Sequence, residues 1–154
     1  MTDATGAVSI RPATVEDVPE IVALLADDPL GATRESPDDL APYLTAFAAL
    51  ETDPHQVLVV AEREGRVVGT LQLTFIAGLS HRGATRAQIE GVRVRGTERG
   101  GGLGGELVRW AVEEARAAGC AIVQLTSDRT RVDAHRFYER LGFQASHVGF
   151  KMTL

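Results

Sequence analysis

A cluster of glycines lies directly before a helical sequence pattern and could bind a phosphate group. The segment RGTERGGGLGGELVRWAVEEA spans residues 95–115. Glycine is the costliest residue to order, so we expect such a cluster only where a bare backbone has a use. A strand that leads through a glycine loop into a helix aims N–H groups and the positive end of the helix dipole at one point. The pattern therefore predicts an anion site suited to a pyrophosphate.

Two common nucleotide-binding patterns fit this loop poorly. A Walker loop needs Gly-Lys and then Ser or Thr, whereas Leu103 follows Gly102. Gly100, Gly102 and Gly105 match the dinucleotide fingerprint, and Asp128 falls near the position of its ribose-binding acid. However, the preceding strand alternates with arginines instead of being apolar on both faces, and too little chain follows to complete the repeated units. A dinucleotide-dependent oxidoreductase is the weaker alternative.

Two segments together resemble a known family. VRVRGTERGGGLGGELV (92–108) resembles the acyl-CoA signature of the GNAT superfamily of N-acetyltransferases, with Arg99, Gly102 and Gly104 at the positions of its Arg/Gln-x-x-Gly-x-Gly/Ala pattern. DAHRFYERLGF (133–143) is similar to the family's C-terminal helix and the strand after it. The order and spacing of the two motifs also match, and the resemblance covers nearly the whole chain.

The resemblance implies acetyl-CoA as co-substrate and no metal. The backbone of Val92 and Val94 would pair with the pantetheine arm as an added strand does, and the loop amides would hold the pyrophosphate. Arg131 stands where many relatives have Asn; it would contact the cofactor or only interact with the start of its helix. The implied cofactor-binding residues are Val92, Val94, Arg99, Gly100, Gly101, Gly102, Leu103, Gly104, Gly105 and Arg131.

The resemblance also implies two catalytic side chains. Tyr138 would protonate the departing thiolate as a general acid, whereas helical periodicity alone favours a core tyrosine. Glu90 would take a proton from the amine acceptor through water, because an amine of lysine type is protonated at neutral pH. The alternative for Glu90 is a surface carboxylate paired with Arg86 or Arg93. The amine would attack the thioester directly in a ternary complex, and a backbone amide of the strand would polarise its carbonyl.

The elements that must position these residues follow from the hydrophobic pattern. The order strand, two helices, hairpin, strand, helix, strand, helix, strand predicts an α/β (α+β) fold. With the resemblance, we expect a mixed, mostly antiparallel sheet of six to seven strands with a splayed central pair and about four helices. The second helix is expected to begin at Ser36 with Pro37 at its first position, although Pro42 could shift that start. Residues 143–154 are expected to form one or two strands, and residues 77–84 a loop.

The strand before the glycine loop changes phase partway along its length. Ile89 is apolar at an odd position, whereas Val92 and Val94 are apolar at even positions. A β-bulge at Gly91 would restore the alternation and splay the strand.

Composition limits the class of protein. A chain of 154 residues with 44% hydrophobic and 24% charged residues predicts one globular domain, with residues 1–6 as a flexible tail. Neither a membrane span nor a secretory leader is indicated, so a cytoplasmic location is expected. Cys120 is expected to be a small buried thiol, and the histidines show no zinc-ligand spacing.

The charge is divided unevenly along the chain. Residues 1–62 carry 12 acidic side chains against two arginines, whereas residues 63–154 carry 9 acidic against 14 basic side chains. The basic half lacks the aromatic residues of a nucleic-acid binder, so no nucleic-acid partner is expected. The acidic half suggests a cationic acceptor beside the N-terminal helices, although ion pairs between the halves are the simpler explanation. The acceptor would be a small-molecule or peptide amine. A non-catalytic acyl-CoA-binding regulatory module is the other alternative. The residues do not show the oligomeric state, whereas the family resemblance implies a homodimer as one assembly.

Overall fold

A five-stranded sheet organises the chain up to Gln124 in the computed structural model, which describes residues 6–154. The strands follow one another across the sheet in chain order, and neighbours are antiparallel except β5, which is parallel to β4. The strands are β1 (Val8–Pro12), β2 (Gln56–Arg63), β3 (Arg66–Ile76), β4 (Arg86–Val94) and β5 (Ile122–Gln124).

Four helices of nine or more residues and two short ones accompany the sheet in the described chain. They are α1 (Val18–Ala26), α2 (Gly31–Arg34), α3 (Ala41–Thr52), α4 (Ser80–Gly83), α5 (Leu103–Ala117) and α6 (Val132–Arg140). None of the helices within residues 6–154 has the length and apolar character that a membrane crossing requires. The chain forms two compact units, one ending at Gln124 and the other spanning Leu125–Leu154, and α6 belongs to the second. A single domain stays a prediction, and residues 1–5 of the predicted tail lie outside the described residues.

The two faces of the sheet carry different helices. On one face α5 approaches so closely that a Cβ at Gly69 would lie 3.0 Å from Leu107 Cδ1. On the other face Ile21 and Leu24 of α1 pack with Val60. Because successive strand residues face opposite ways, this second face also carries the side chains of even-numbered residues 56–60, 70–74 and 86–90.

The hairpin and the bulge both form as the sequence predicts. Glu64 and Gly65 turn between β2 and β3 with φ of 51° and 75°, which is the left-handed pair that a two-residue hairpin turn needs. On β4, Gly91 and Val92 lie opposite the single residue Leu71, because the register changes between Thr70–Arg93 and Gln72–Glu90. The φ of Gly91 is 62°. The predicted β-bulge at Gly91 is therefore confirmed.

Two predicted elements differ from the structure, and two short helices were not predicted. The second long helix, α3, begins at Ala41 and not near Ser36, because Pro42 fits the first turn but would remove a hydrogen bond and clash inside an earlier-starting helix. The short helix α2 lies in a stretch without a long periodic pattern. The loop predicted for residues 77–84 contains α4, a single turn in which His81 and Arg82 have left-handed φ of 53° and 60°. The strands predicted for residues 143–154 are absent, so five strands replace the expected six to seven. Val148 and Phe150 are 79% and 93% exposed, so this segment has no buried face to stabilise a strand.

Candidate active site

The β4–β5 ladder is only three residues long. The parallel ladder joins Arg86–Gln88 to Ile122–Gln124, and β4 then continues to Val94 after β5 has ended. The amide of Arg95 donates to Val68 O on the β3 side at 2.8 Å. Since successive N–H groups of a strand alternate in direction, the amide of Val94 faces the edge that β5 leaves unpaired. Val92 lies in the bulge, where this alternation is interrupted. The splayed pair stays a prediction, as do the cofactor contacts of Val92 and Val94.

The glycine loop connects this open edge to the start of α5. Gly100 and Gly102 both have φ of 85°, a left-handed conformation that glycine adopts without strain. Leu103, Gly104 and Gly105 begin α5 and, in the described chain, their amides have no backbone acceptor; the ladder starts with Glu106 N donating to Gly102 O at 3.1 Å. Unpaired first-turn amides and the helix dipole together favour an anion. The loop has the groups that a pyrophosphate requires.

The amides earlier in the loop are partly engaged. Arg99 N and Gly101 N lie 3.4 Å from Gly96 O and Glu98 O respectively. The Arg99 guanidinium donates to Asp27 O at 3.1 Å, so its side chain extends toward the end of α1. Within the expected set, the amides from Gly102 to Gly105 are better placed for an anion than the side chain of Arg99.

Glu90 lies beside the bulge and is held by glutamines. Gln124 Nε2 donates to Gln88 Oε1 at 3.0 Å, and Gln88 Nε2 donates to Glu90 Oε1 at 2.7 Å. Gln88 and Gln124 are also the last paired residues of the β4–β5 ladder. These two side-chain amides therefore connect the end of the ladder to the exposed carboxylate of Glu90. Glu90 makes no ion pair with Arg86 or Arg93 within residues 6–154.

The polar face continues onto the neighbouring strands. Gln72, which pairs in register with Glu90, donates from Nε2 to Gln56 Oε1 at 3.0 Å. Thr74, which pairs with Gln88, donates from Oγ1 to the same atom at 2.8 Å. We call the residues Gln56, Gln72, Thr74, Gln88 and Gln124 the polar shelf. Sequence reasoning missed it, although glutamines at inward positions of apolar strands were a visible signal.

Tyr138 and Arg131 belong to the second unit. The Tyr138 ring is partly buried and meets the Phe137 and Phe143 rings edge-on, with centroids 5.0 and 5.9 Å away. Phe143 N donates to Tyr138 O at 3.1 Å, which fixes the turn at the end of α6. Arg131 occupies the N-cap position of α6 and is exposed.

Cys120 and the metal-binding residue types add little to this site. Cys120 is partly buried, and burial raises the pKa of its thiol, so the reactive thiolate is disfavoured. No group of three His, Cys, Asp or Glu side chains that could hold a metal ion occurs in the described part of the chain.

Comparison with known proteins gives matches that cover most of the chain. The family model "Acetyltransferase (GNAT) family" matches residues 18–143. An aminoalkylphosphonate N-acetyltransferase of Salmonella typhimurium is 34% identical over 94% of this chain and 90% of its own length. An L-methionine sulfoximine/L-methionine sulfone acetyltransferase of Pseudomonas paraeruginosa is 31% identical over 90% of this chain and 81% of its own length. A crystal structure of a transcriptional regulator from Bacillus halodurans has 46% identity and a TM-score of 0.93, covering 96% of this chain and 100% of that one.

Proposed function

Since the chain belongs to the acetyltransferase (GNAT) family and is an acetyl-CoA-dependent N-acetyltransferase, we propose that a small primary amine accepts the acetyl group directly, in a ternary complex. One observation carries this proposal: the open edge of β4 leads from Glu90 to the unpaired amides at the start of α5. The names of the two acetyltransferase relatives support a small molecule as acceptor. Both names describe amines with an acidic group on the same skeleton.

Backbone groups of the first unit would hold acetyl-CoA, which supplies the acetyl thioester. The backbone of Val92 and Val94 would pair with an extended pantetheine arm at the open edge, as an added β-strand does. Gly102, Leu103, Gly104 and Gly105 would bind the pyrophosphate through unpaired amides and the helix dipole. The positive φ of Gly91 turns the backbone at the bulge, where an amide could stabilise negative charge on the thioester oxygen.

Glu90 is the proposed general base. An ammonium must lose a proton before its nitrogen can attack the thioester carbon, and Glu90 is an exposed carboxylate beside the bulge. The hydrogen bond from Gln88 fixes one carboxylate oxygen of Glu90. The other oxygen can accept a hydrogen bond from water or from the ammonium group of the substrate. The new C–N bond then forms as the C–S bond breaks, and the nitrogen loses its second proton, which replaces the one that the departing sulfur takes up.

Tyr138 is the proposed general acid for the departing thiolate. Its phenol can donate a proton, and its ring is held edge-on by Phe137 and Phe143 within its own unit. The position that Tyr138 occupies in the DAHRFYERLGF motif is the support for this role. Arg131 remains a proposed contact of the cofactor.

The test of the proposal is release of CoA thiol in the presence of single acceptors. We expect saturable turnover with 2-aminoethylphosphonate or 3-aminopropanoate and calorimetric binding of acetyl-CoA without any acceptor. Binding of acetyl-CoA without turnover on an amine panel would instead favour a regulatory module. Binding of NADH in place of acetyl-CoA would contradict the proposed use of the glycine loop.

A further inference from the structure

Arg86 is a partly buried arginine without a counter-ion among the residues that the structure describes. It is the first residue of β4, and its Nε is shielded from solvent and has no hydrogen-bond partner there. Its neighbours in register are Ile76 on β3 and Ile122 on β5, whose side chains offer no acceptor. A shielded guanidinium N–H without an acceptor costs free energy. The two Nη groups of Arg86 also lack a partner among the described residues but are not shielded, so an anionic ligand can bind them.

The other partly buried arginines within residues 6–154 all have carboxylate partners. Each of these ion pairs joins separate elements or turns of the first unit, so their structural use is evident. The pairs are Arg11–Asp17, Arg63–Glu98, Arg93–Asp28 and Arg95–Glu20. Arg86 differs from this pattern, since its charge stabilises no carboxylate of the described chain.

The position of Arg86 relates it to the proposed base. Arg86, Gln88 and Glu90 alternate with the buried residues Ala87 and Ile89, so their side chains share one face of β4. Along an extended strand, residues two and four apart are separated by about 7 and about 13 Å. Long side chains at both ends shorten the second distance, and the polar shelf lies between them. A small molecule with two charged ends can therefore contact both.

We propose that Arg86 binds an acidic group of the acceptor while the acceptor's amine lies at Glu90; this inference rests on the proposed function. The substrate class is then a primary amine joined by a short carbon chain to a phosphonate, phosphate or carboxylate. A guanidinium suits these groups because its N–H donors can bind two oxygens at once. Arg86 acts on specificity and takes no part in proton transfer.

Steady-state kinetics on matched acceptors test the assignment. The acceptors are 2-aminoethylphosphonate, 3-aminopropanoate and the uncharged-tail analogue propylamine, used with the wild type, Arg86→Gln and Arg86→Lys. We expect Arg86→Gln to raise KM for the two acidic acceptors about 10- to 100-fold and to leave kcat/KM for propylamine within about twofold. Arg86→Lys should give an intermediate KM, since lysine keeps the charge but loses the two-pronged geometry.

Arg82→Gln is the matched control, because Arg82 is an exposed arginine of the preceding turn. Thermal denaturation checks the fold, and Arg86→Gln should melt at or slightly above the wild-type temperature, because it removes a shielded N–H that has no acceptor in the described chain. An unchanged KM, or an equal loss on acidic and neutral acceptors, would overturn the inference while acetyl transfer stands. A wild type that acetylates neutral amines and rejects both acids would overturn it as well. If the wild type acetylates no amine, the proposed function itself fails.

Discussion

At the scale of single residues, Glu90 is positioned by an amide and not by a cation. The sequence left two alternatives open, a catalytic base or a carboxylate paired with Arg86 or Arg93. In the structure Gln88 donates to Glu90, while Arg93 lies 3.1 Å from Asp28. A primary amide orients a carboxylate without placing positive charge beside it. Glu90 can therefore attract an incoming ammonium, as its proposed role requires.

We expect Glu90→Gln to lower kcat by about 10²-fold or more, because a positioned general base contributes about 10²–10⁴. Acetyl-CoA affinity should stay within about twofold, since the proposed cofactor contacts are backbone groups. CoA thiol release measures the first quantity and calorimetry the second. The control is Glu113→Gln, which makes the same change to an exposed carboxylate on α5. Full turnover in Glu90→Gln would remove Glu90 from the mechanism.

Gln88→Leu tests whether the Gln88 amide positions that base. Loss of the 2.7 Å hydrogen bond should lower kcat about tenfold in the wild-type background and very little when Glu90 is already Gln. The double-mutant cycle separates positioning from a general loss of packing, which would lower kcat in both backgrounds. Gln72→Leu is the matched control, because Gln72 donates to Gln56 and not to Glu90.

Tyr138→Phe should lower turnover and leave acetyl-CoA affinity nearly intact. The phenol supplies the proton in the proposed mechanism, whereas the ring packing with Phe137 and Phe143 is preserved in the variant. The kcat for thiol release should therefore fall while the calorimetric affinity for acetyl-CoA stays nearly unchanged. If kcat is unchanged, Tyr138 is a core tyrosine, as helical periodicity alone suggests.

At the scale of elements, local signals decided which parts of the fold were predictable. The phase change around Gly91 predicts the bulge because alternation is a property of the strand itself, and the glycine cluster predicts the loop and the start of α5 for a similar reason. The prediction of strands in residues 143–154 was wrong, because alternation cannot show whether a partner strand will cover Val148 and Phe150. The polar shelf depends on register across four strands, which a single sequence does not show. Sequence reasoning could thus propose site residues only where one motif contains them.

Gly91→Ala should weaken both the fold and the cofactor site. The φ of 62° costs a residue with a Cβ about 1–2 kcal/mol, whereas the new Cβ would meet Leu25 Cδ2 at an ordinary 3.6 Å. Backbone strain and not crowding is therefore the expected cause. Urea unfolding should show that loss, and acetyl-CoA affinity should fall if the bulge shapes its site. Gly78→Ala is the control, since a Cβ there meets nothing within 4 Å; equal stability of the two variants would contradict the argument.

At the scale of the whole molecule, part of the uneven charge is used in ion pairs between the acidic and the basic half. Acidic residues at α1 and just after it pair with arginines from β4 and the glycine loop, through contacts of 2.6, 3.1 and 3.5 Å. The pairs are Glu20–Arg95, Asp28–Arg93 and Asp27–Arg99. The acidity that the first 62 residues present to a ligand is therefore smaller than their composition suggests. A cationic acceptor remains a prediction from charge alone, and the acceptor panel decides between it and an acid-bearing amine.

A second charge cluster joins the first strand to the first helix. Asp17 is 7% exposed and accepts from Arg11 Nη1 at 2.7 Å, from Arg11 Nη2 at 3.0 Å and from Thr14 N at 2.8 Å. Arg11 also donates to Glu62 on β2 at 2.9 Å. These contacts, chiefly the Arg11 guanidinium, lower the pKa of Asp17 below its ordinary value. Residues of β1, β2 and the turn before α1 are thus tied by one arginine.

Because the pKa of Asp17 is lowered in the folded state, the free energy of unfolding depends on pH. The charged form of Asp17 is favoured in the folded state, so its contribution is fully present above the unfolded pKa of about 3.9 and is lost as the pH falls through the lower folded pKa. Asp17→Asn should cost about 2 kcal/mol at pH 7, less than a fully buried pair because Arg11 keeps Glu62. Below pH 4 the difference between variant and wild type should shrink. Urea unfolding at pH 7, 5, 4 and 3 measures this, with the exposed Asp38→Asn as control; a difference that stays constant down to pH 3 would show that charge on Asp17 is not what stabilises this part of the fold.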